Sequence, residues 1–198
     1  MTVSTERVSP FPYPIVLASA SPRRHDLLAA AGVLFEIVVA AAEEVAPPHL
    51  TVAEATLLNA KRKAEAVCRQ RPEAIVIGAD TLVALDGEPL GKPRHLEEAH
   101  AMLTQLSGRT HEVFSGVWLV HAARNRTRGF VEVSRVSFRK ISPAEIDRYF
   151  TVVDPLDKAG GYAAQQDPIG LIAKISGSRS NVIGLPMERL RQTLASFR

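Results

Sequence analysis

The feature that most constrains this fold is the alternation of short apolar runs with helical segments along the chain. Apolar or β-like runs predict strands at residues 15–18, 35–39, 74–77, 82–85, 112–122, 130–141 and 171–175. Helical patterns with start and stop signals predict helices at 22–31, 51–69, 96–106, 142–150 and from Pro186 onwards. Asp86-Gly87 is a strong signal for a β-hairpin. Alternation together with hairpins predicts the α/β class, with a mixed twisted sheet and flanking helices.

The length and the cysteine content narrow the class of protein further. With 198 residues, the chain suits one domain that needs neither a disulfide nor a metal ion to fold. We expect residues 1–12 to form a loose leader and residues 13–198 to form that domain. The longest uninterrupted apolar stretch, residues 27–35, is too short for a transmembrane helix. Because Cys68 is the one cysteine, an internal disulfide is excluded and a reducing cytoplasm is expected.

The charge of the chain argues against a nucleic-acid-binding protein. The net charge of +3, from 24 basic and 21 acidic residues, is small and dispersed. Nucleic-acid-binding domains usually carry a clustered basic face, and many add aromatic side chains on which bases stack. Aromatic residues make up 6% of this chain, and no stacking platform is visible. We therefore expect neither a nucleic acid nor a membrane as a partner, whereas a small anionic ligand is compatible with the charge.

Residues 19–24, with the sequence SASPRR, have the composition of an anion site at the start of a helix. Ser21 suits the N-cap and Pro22 the first helical position. Two arginines in that first turn are unfavourable by roughly 0.3–1 kcal/mol each unless an anion lies there. A second helix start, residues 142–145, has Glu145 at the matching position. The segment therefore predicts a phosphate site, with the alternative that both arginines point into solvent or pair with acidic neighbours.

An acidic residue, Asp80, follows one of the predicted apolar strands. Strand ends in α/β folds face ligand crevices, so Asp80 could bind a divalent cation or act as a general base on water. The alternative is an aspartate that caps a turn. If the hairpin ladder is regular, Leu85 pairs with Glu88 and Lys92 lies opposite Thr81, beside Asp80. Lys92 would then contact a phosphate oxygen or form a surface ion pair.

Three further groups leave functional and structural interpretations open. The adjacent carboxylates Glu43 and Glu44 could supply a metal ligand or lie exposed. On the 51–69 helix, Lys61 and Lys63 flank the apolar stripe on opposite sides, and their spacing does not decide which lysine enters a site. Gln165 follows a Gly-Gly pair that allows a ligand to approach the backbone, and its amide could read the edge of a base.

Seven segments, in their order and spacing, resemble the Maf-like nucleoside triphosphate pyrophosphatases from residue 15 to near the last helix. These segments are LASASPRRHDLL, the pair Glu43-Glu44, AKRKAEAV, IGADTLVALDGEPLGKP, LSGRTHEVFSGV, DPLDKAGGYAAQ and NVIGLP. The resemblance implies a Maf/ITPase-like domain over residues 13–198, with two lobes around a central cleft, and a homodimer. It also implies hydrolysis of nucleoside triphosphates between the α- and β-phosphorus atoms, which releases a monophosphate and pyrophosphate.

The resemblance further implies roles for individual residues. Asp80 would be the proton acceptor and, with Glu44, would hold a divalent metal cation, Mg²⁺ or Mn²⁺. Lys63 and Lys92 would complete the catalytic set by contacting phosphates. The residues implied to bind the phosphates are Ser19, Ser21 and Arg24, and those linked to substrate choice are Arg23, Thr81 and Gln165.

The forms IGADT and DKAGGYAAQ resemble the branch of the family that prefers dTTP and UTP. We therefore expect a house-cleaning hydrolase of the cytoplasm that acts on dTTP, UTP and modified pyrimidine nucleotides. The alternative is a nucleotide-binding regulator of cell division or septum formation with little catalysis. Gln166 stands where the branch commonly has glycine, and this departure bears on the exact nucleotide.

Overall fold

The computed structural model describes residues 11–198, and residues 1–10 of the predicted leader lie outside the described residues. Over the described part, seven strands form one sheet: β1 (Ile15–Leu17), β2 (Glu36–Ile37), β3 (Ile75–Leu85), β4 (Glu88–Leu90), β5 (Thr110–His121), β6 (Arg126–Phe138) and β7 (Ile172–Ser176). The α-helices of that part are α1 (Pro22–Ala30), α2 (Val52–Cys68), α3 (Leu96–Leu106), α4 (Pro143–Phe150), α5 (Arg179–Ile183) and α6 (Met187–Ala195). The predicted α/β class is confirmed, whereas the sequence analysis missed the short helix α5.

The sheet is mixed, as predicted. Its strands follow the order β2-β1-β3-β5-β6-β7, and β4 pairs with β3 beside that path. β1 runs parallel to β2 and to β3, and the other pairs are antiparallel. Parallel neighbours need a crossover connection, which α1 supplies between β1 and β2 and α2 supplies before β3.

The predicted hairpin between β3 and β4 is present. Leu85 lies opposite Glu88 across the turn, as the sequence predicts. The turn residues Asp86 and Gly87 have φ angles of 53° and 86°. This left-handed conformation at both positions is what a two-residue type I′ hairpin turn requires, and the Asp-Gly pair tolerates it.

The hairpin ladder is shorter than predicted. It ends at Leu90, so the predicted pairing of Lys92 with Thr81 is wrong. Beyond Leu90 the chain leaves the ladder, and the carbonyl oxygen of Gly91 accepts a hydrogen bond from the backbone nitrogen of Gly160 (3.0 Å) instead. Lys92 therefore reaches the neighbourhood of β3 from a loop and not from a strand.

β3 is one strand of eleven residues where the sequence predicted two separate runs. β5 pairs with every residue of β3 from Val76 to Ala84, so the glycine-containing segment 78–81 stays extended in the ladder. The prediction that Asp80 follows the end of a strand is therefore wrong. Asp80 lies inside β3, opposite Gly116 of β5.

The other edge of β3 is covered only at its two ends. β1 pairs with residues 75–77 and β4 with residues 83–85. Since β5 occupies one edge of β3, β1 and β4 must share the opposite edge. Among residues 11–198, no strand pairs with residues 78–82 on that edge, and we call this opening the β3 gap. A crevice where strands end is the usual place for ligands in open α/β sheets.

Helix α2 crosses one face of the sheet at very close range. A Cβ atom on Gly78 would lie 2.1 Å from the carbonyl oxygen of Ala60, and one on Gly116 would lie 2.5 Å from the backbone of Thr56. Only glycine at these two strand positions allows so close an approach. Side chains alternate along a strand, so Asp80 shares the face of Gly78 and points towards α2.

Apolar clusters fill both faces of the sheet and both sides of the β3 gap. On the face opposite α2, residues of α1 and α6 pack with Ile75 and Ile77. Beyond the gap, residues of α3 and α4 pack with Val83 and Leu85. The gap thus lies between two packed halves of the molecule. Within residues 11–198, no helix has the length and apolar character needed to cross a membrane.

Candidate active site

A cavity of about 570 Å³ opens at the β3 gap and is lined from both sides of it. Its walls come from the segment between β1 and α1, the loop after β2, α2, β3, the segment after β4 and the segment before β7. Nine of the ten predicted site residues line it: Ser19, Ser21, Arg23, Arg24, Glu44, Lys63, Asp80, Thr81 and Lys92. The structure therefore brings together residues that the sequence spreads over more than seventy positions.

Arg24 is a buried cation in the first turn of α1. Its guanidinium donates hydrogen bonds to the carbonyl oxygen of Gly184 (2.8 Å), to Ser19 Oγ (3.0 Å) and to Thr81 Oγ1 (3.1 Å). Within the described residues, no carboxylate forms a salt bridge with it. Burial lowers the pKa of Arg24, while the charge of Asp80 opposes that shift. A buried positive charge held by neutral acceptors favours an anionic ligand in the cavity.

The start of α1 leaves backbone N–H groups without a side-chain cap. Ser21 occupies the N-cap position with Pro22 after it, as predicted, but its hydroxyl forms no capping hydrogen bond. The backbone nitrogen of Ser21 donates to Ser19 Oγ (3.2 Å), which holds the two serines together. The first N–H groups of a helix have no partner within the helix, so this end can bind an anion.

Arg23 behaves differently from its neighbour. Its Nη1 lies 2.9 Å from Asp157 Oδ2, and the two side chains are 26% and 54% exposed. Burial raises the pKa of Asp157, but hydrogen bonds from Lys158 and Arg23 outweigh burial and lower it. Of the two interpretations given for the arginines, pairing with an acidic neighbour holds for Arg23. The segment that contains Asp157 was singled out for other reasons, but its pairing with Arg23 is not predictable locally, because 134 positions separate the partners.

Lys63 joins the two predicted metal ligands. Its Nζ lies 2.7 Å from Glu44 Oε1 and 2.7 Å from Asp80 Oδ1. The question of which lysine of α2 enters the site is thereby answered, because Lys61 instead lies over the ring of Trp118 (5.3 Å to its centroid). The side chain of Glu44 is 48% exposed and faces solvent, whereas that of Asp80 is 5% exposed and faces the interior.

The electrostatics of Glu44 reflect its two lysine neighbours. Burial raises the pKa of Glu44, but the hydrogen bond and charge of Lys63 and the charge of Lys92 outweigh burial. The pKa of this carboxyl therefore lies below its ordinary value, and the group is anionic at neutral pH. Lys92 contributes positive charge to the site although it lies outside the hairpin ladder.

Glu44 and Asp80 fit a divalent cation. Both carboxylates already converge on one positive charge, the ammonium of Lys63. Mg²⁺ and similar hard cations take oxygen ligands, and Mg²⁺ is usually held by one or two carboxylates together with substrate phosphates and water. Among residues 11–198, no group of three or more His, Cys, Asp or Glu side chains could hold a metal ion. The protein would therefore supply this pair, and the remaining ligands would come from substrate and water.

Asn59 is a site residue that the sequence analysis missed. It is buried in α2, and its Nδ2 lies 3.3 Å from Asp80 Oδ2. The same amide also exchanges hydrogen bonds with the backbone of Val45, the residue after Glu44. The signal that could have found it is its spacing, since Asn59 precedes Lys63 by four residues and so shares its helix face.

Gln165 is the predicted site residue that does not line the cavity. Its side chain is exposed, whereas the neighbours Ala163 and Ala164 do line it. The turn that carries Gln165 is held by Tyr149, whose Oη accepts a hydrogen bond from the backbone nitrogen of Ala163 (2.9 Å) and donates one to the carbonyl oxygen of Gln166 (3.4 Å). The role of Gln165 in reading a base stays a prediction.

Comparisons with known proteins cover nearly all of the chain. The family model described as "Maf-like protein" matches residues 14–197, which include every residue that lines the cavity. A dTTP/UTP pyrophosphatase from Pelotomaculum thermopropionicum is 45% identical over 183 residues, 92% of this chain and 96% of that protein. Proteins of the same name from Salinibacter ruber and Akkermansia muciniphila are 46% and 44% identical over 186 and 183 residues. These cover 93% and 91% of this chain and 91% and 95% of those proteins.

Proposed function

This chain belongs to the Maf-like protein family, and we propose that it hydrolyses dTTP and UTP to the nucleoside monophosphate and pyrophosphate. The names of the similar proteins supply the nucleotides, and the family resemblance supplies the bond, between the α- and β-phosphorus atoms. The observation that carries the proposal in this chain is Arg24, buried without a carboxylate partner among the described residues. It faces the same cavity as Glu44, Lys63 and Asp80. A cation that would bind a polyanion and a pair of acidic side chains that would hold a metal ion therefore line one cavity.

The positive groups of the cavity would bind the phosphates. The N–H groups at the start of α1, the hydroxyls of Ser19 and Ser21 and the guanidinium of Arg24 form one wall. Helix N-termini and guanidiniums are strong phosphate donors. Lys92, from the segment after β4, would contact the phosphates from another side.

Asp80 would accept a proton from the attacking water. Its carboxylate is nearly buried, and Lys63 holds one of its oxygens by a 2.7 Å hydrogen bond. As the bond to the departing pyrophosphate breaks, negative charge grows on that group, and fixed positive side chains stabilise it. Arg24 and Lys92, which both line the cavity, would supply this positive charge. Glu44 and Asp80 would hold Mg²⁺ or Mn²⁺, whose charge would neutralise phosphate oxygens and make the phosphorus more electrophilic.

The test is a screen of nucleoside triphosphates with Mg²⁺ and with Mn²⁺, in which pyrophosphate and orthophosphate are measured separately. We expect pyrophosphate from dTTP and UTP, and nearly complete loss of turnover in Asp80→Asn with the fold retained by circular dichroism. Orthophosphate as the sole product would contradict the proposed bond. Tight nucleotide binding without turnover would instead favour the regulatory alternative.

Three further parts belong to the proposal. A role for Gln165 in the choice of nucleotide and a homodimer follow from the family resemblance. A cytoplasmic location is supported by the single cysteine, Cys68, which is free and buried. Light scattering on the purified protein tests the dimer, and a mass close to that of one 21.5 kDa chain would contradict it.

A further inference from the structure

The amide of Asn59 contacts both acidic segments of the site at once. It bonds to the backbone of Val45, next to Glu44, and to the carboxylate of Asp80. We infer that Asn59 is a positioning residue that fixes the Asp80 carboxylate and the loop carrying Glu44 relative to each other. The inference rests on the proposed function, because it assigns Asn59 a part in that reaction.

The backbone of Val45 determines how the amide of Asn59 is oriented. The nitrogen of Val45 donates to Oδ1 of Asn59 (2.9 Å), and Nδ2 of Asn59 donates to the oxygen of Val45 (3.0 Å). An amide turned over by 180° would place donor against donor and acceptor against acceptor. Because Nδ2 carries two hydrogens, one remains free after the bond to Val45. That hydrogen is the one available for Oδ2 of Asp80, 3.3 Å away.

The carboxylate of Asp80 is consequently held at both oxygens by one helix. Oδ1 accepts from Lys63 and Oδ2 accepts from Asn59, and these two residues are one turn apart on α2. Counted over the whole residue, Asp80 and Asn59 are each 3% exposed, so water has little access to replace the contact between them. A proton acceptor fixed in its plane keeps its geometry to the attacking water, which matters because small misplacements cost rate.

The tether to Val45 matters because of where Glu44 lies. Residues 38–51, between β2 and α2, contain neither strand nor helix. The position of Glu44 is therefore fixed neither by strand pairing nor by a helix. The paired hydrogen bonds of Asn59 to Val45 anchor the backbone one residue away, and Lys63 anchors the Glu44 side chain. Without Asn59, this carboxylate would lose its backbone anchor and depend on side-chain contacts such as that to Lys63.

The experiment compares Asn59→Leu and Asn59→Asp with a matched control in the same helix. Leucine has a similar size and removes all three hydrogen bonds. An ionised aspartate still accepts from the Val45 nitrogen but cannot donate to Asp80 or to the Val45 oxygen, and it faces the Asp80 carboxylate with a like charge. The control is Thr56→Val, because Thr56 is also buried in α2, yet within residues 11–198 its hydroxyl bonds only to Val52 and Ala53 of its own helix.

We expect kcat for dTTP to fall roughly 10- to 100-fold in both Asn59 variants, as for other residues that orient reacting groups through hydrogen bonds. KM should change little, because the groups that bind phosphate are intact. Hydrogen exchange at the Val45 amide should accelerate in Asn59→Leu and stay slow in Asn59→Asp. Thr56→Val should match the parent in kcat and in exchange.

Parent-like kcat in both Asn59 variants would overturn the inference, and so would an equal loss of kcat in Thr56→Val. A rise in KM with kcat unchanged would also overturn it, since Asn59 would then affect binding alone.

If the parent hydrolyses no nucleotide, the proposed function fails by itself. In that case, unchanged exchange at the Val45 amide in Asn59→Leu would overturn the tether independently. Should Asn59→Leu fail to fold, Asn59→Asp decides by its kcat or, with an inactive parent, by whether exchange at Val45 stays slow.

Discussion

Two helices of this protein begin with the same Ser-Pro pair and differ completely in how their first turn is satisfied. At α4, Glu145 Oε2 accepts hydrogen bonds from the backbone nitrogen of Ser142 (2.8 Å) and from its hydroxyl (2.9 Å), which closes a capping box. At α1, the matching position is Arg24, which cannot accept a hydrogen bond, and the backbone nitrogen of Ser21 donates to Ser19 Oγ instead (3.2 Å). Both helices have Ser at the N-cap and Pro at the first helical position. Of the two, α4 is the one whose first turn is capped by a side chain of its own helix.

The difference separates a helix end that is capped by its own side chains from one whose charge suits an anion. A capping box satisfies the free N–H groups, and a glutamate there interacts favourably with the helix dipole. Arg24 cannot accept hydrogen bonds from the free N–H groups, and its charge interacts unfavourably with the helix dipole. Its guanidinium is held instead by neutral acceptors on Gly184, Ser19 and Thr81. α1 therefore forgoes stabilisation of its first turn, and under the proposed function its positive charge serves the phosphates.

The largest expected effect comes from giving α1 the sequence pattern of α4. Arg24→Glu removes the guanidinium and places a carboxylate near Asp80 and Glu44, so phosphate would be repelled. Loss of one donor to a developing anion typically costs about 10²–10³ in rate, and we expect at least that loss in kcat/KM for dTTP. Pyrophosphate release under limiting substrate measures it.

The reciprocal change, Glu145→Arg, is the matched control for Arg24→Glu. It gives α4 the pattern of α1, and we expect lower thermal stability with unchanged kcat/KM for dTTP. Arg24→Lys keeps the charge but not the three-way fork, so we expect it to retain more activity than Arg24→Glu. Normal activity in Arg24→Glu would show that the two helix ends do not differ in function.

The same comparison shows what the sequence can predict. The start of α1 could be identified because all of its signals lie within six residues: the N-cap, the proline and the misplaced arginines. The continuity of β3 could not, because Gly78 and Asp80 have no local preference for a strand. Pairing with β5, a strand from later in the chain, holds this segment extended. Asp80 was therefore found as a candidate for its chemistry and placed wrongly.

Side-chain direction within the site was equally beyond the sequence. Lys61 and Lys63 are equivalent by periodicity on α2, and the structure selects Lys63. The rotation of α2 is fixed by its contact with Gly78 and Gly116, two glycines on separate strands. A pattern confined to one helix contains no information about such a contact. The family resemblance, which compares whole segments, assigned the correct lysine to the cavity.

The second prediction concerns the start of α4, and its expected effect is smaller than that of Arg24→Glu. Ser142→Ala removes the hydroxyl from the capping box of α4, and loss of such a cap costs about 1 kcal/mol of unfolding free energy. Urea unfolding should show this loss while dTTP hydrolysis stays at the parent rate. Ser21→Ala is the counterpart at α1, where stability should hold and KM should rise. Equal stability losses in the two alanine variants would remove the distinction between the two helix ends.

The third prediction separates the two arginines of α1. Arg23 forms a partly exposed ion pair with Asp157, and exposed pairs contribute roughly 0.2–1 kcal/mol. Arg23→Ala should therefore change stability by no more than this, and its loss of kcat/KM should be much smaller than that of Arg24→Ala. Asp157→Asn is the control for the pair, since it leaves Arg23 in place. If Arg23→Ala costs as much activity as Arg24→Ala, both guanidiniums contact the phosphates.

The fourth prediction uses pH to separate the two helix ends. The backbone hydrogen bond from Ser142, with the contacts to Arg139 and to the Ser142 hydroxyl, lowers the pKa of Glu145 from 4.5 to about 2. A carboxyl whose pKa is lower in the folded state stabilises the fold above its unfolded pKa and loses that contribution as pH falls towards the folded one. The difference in unfolding free energy between the parent and Glu145→Ala should therefore be constant above pH 5 and shrink between pH 4.5 and about 2.

Urea unfolding at pH 6, 4 and 3 measures this difference. Glu145→Gln, which can accept the same hydrogen bonds without titrating, should lack that slope. A difference that does not change with pH would show that the charge of Glu145 plays no part at the start of α4.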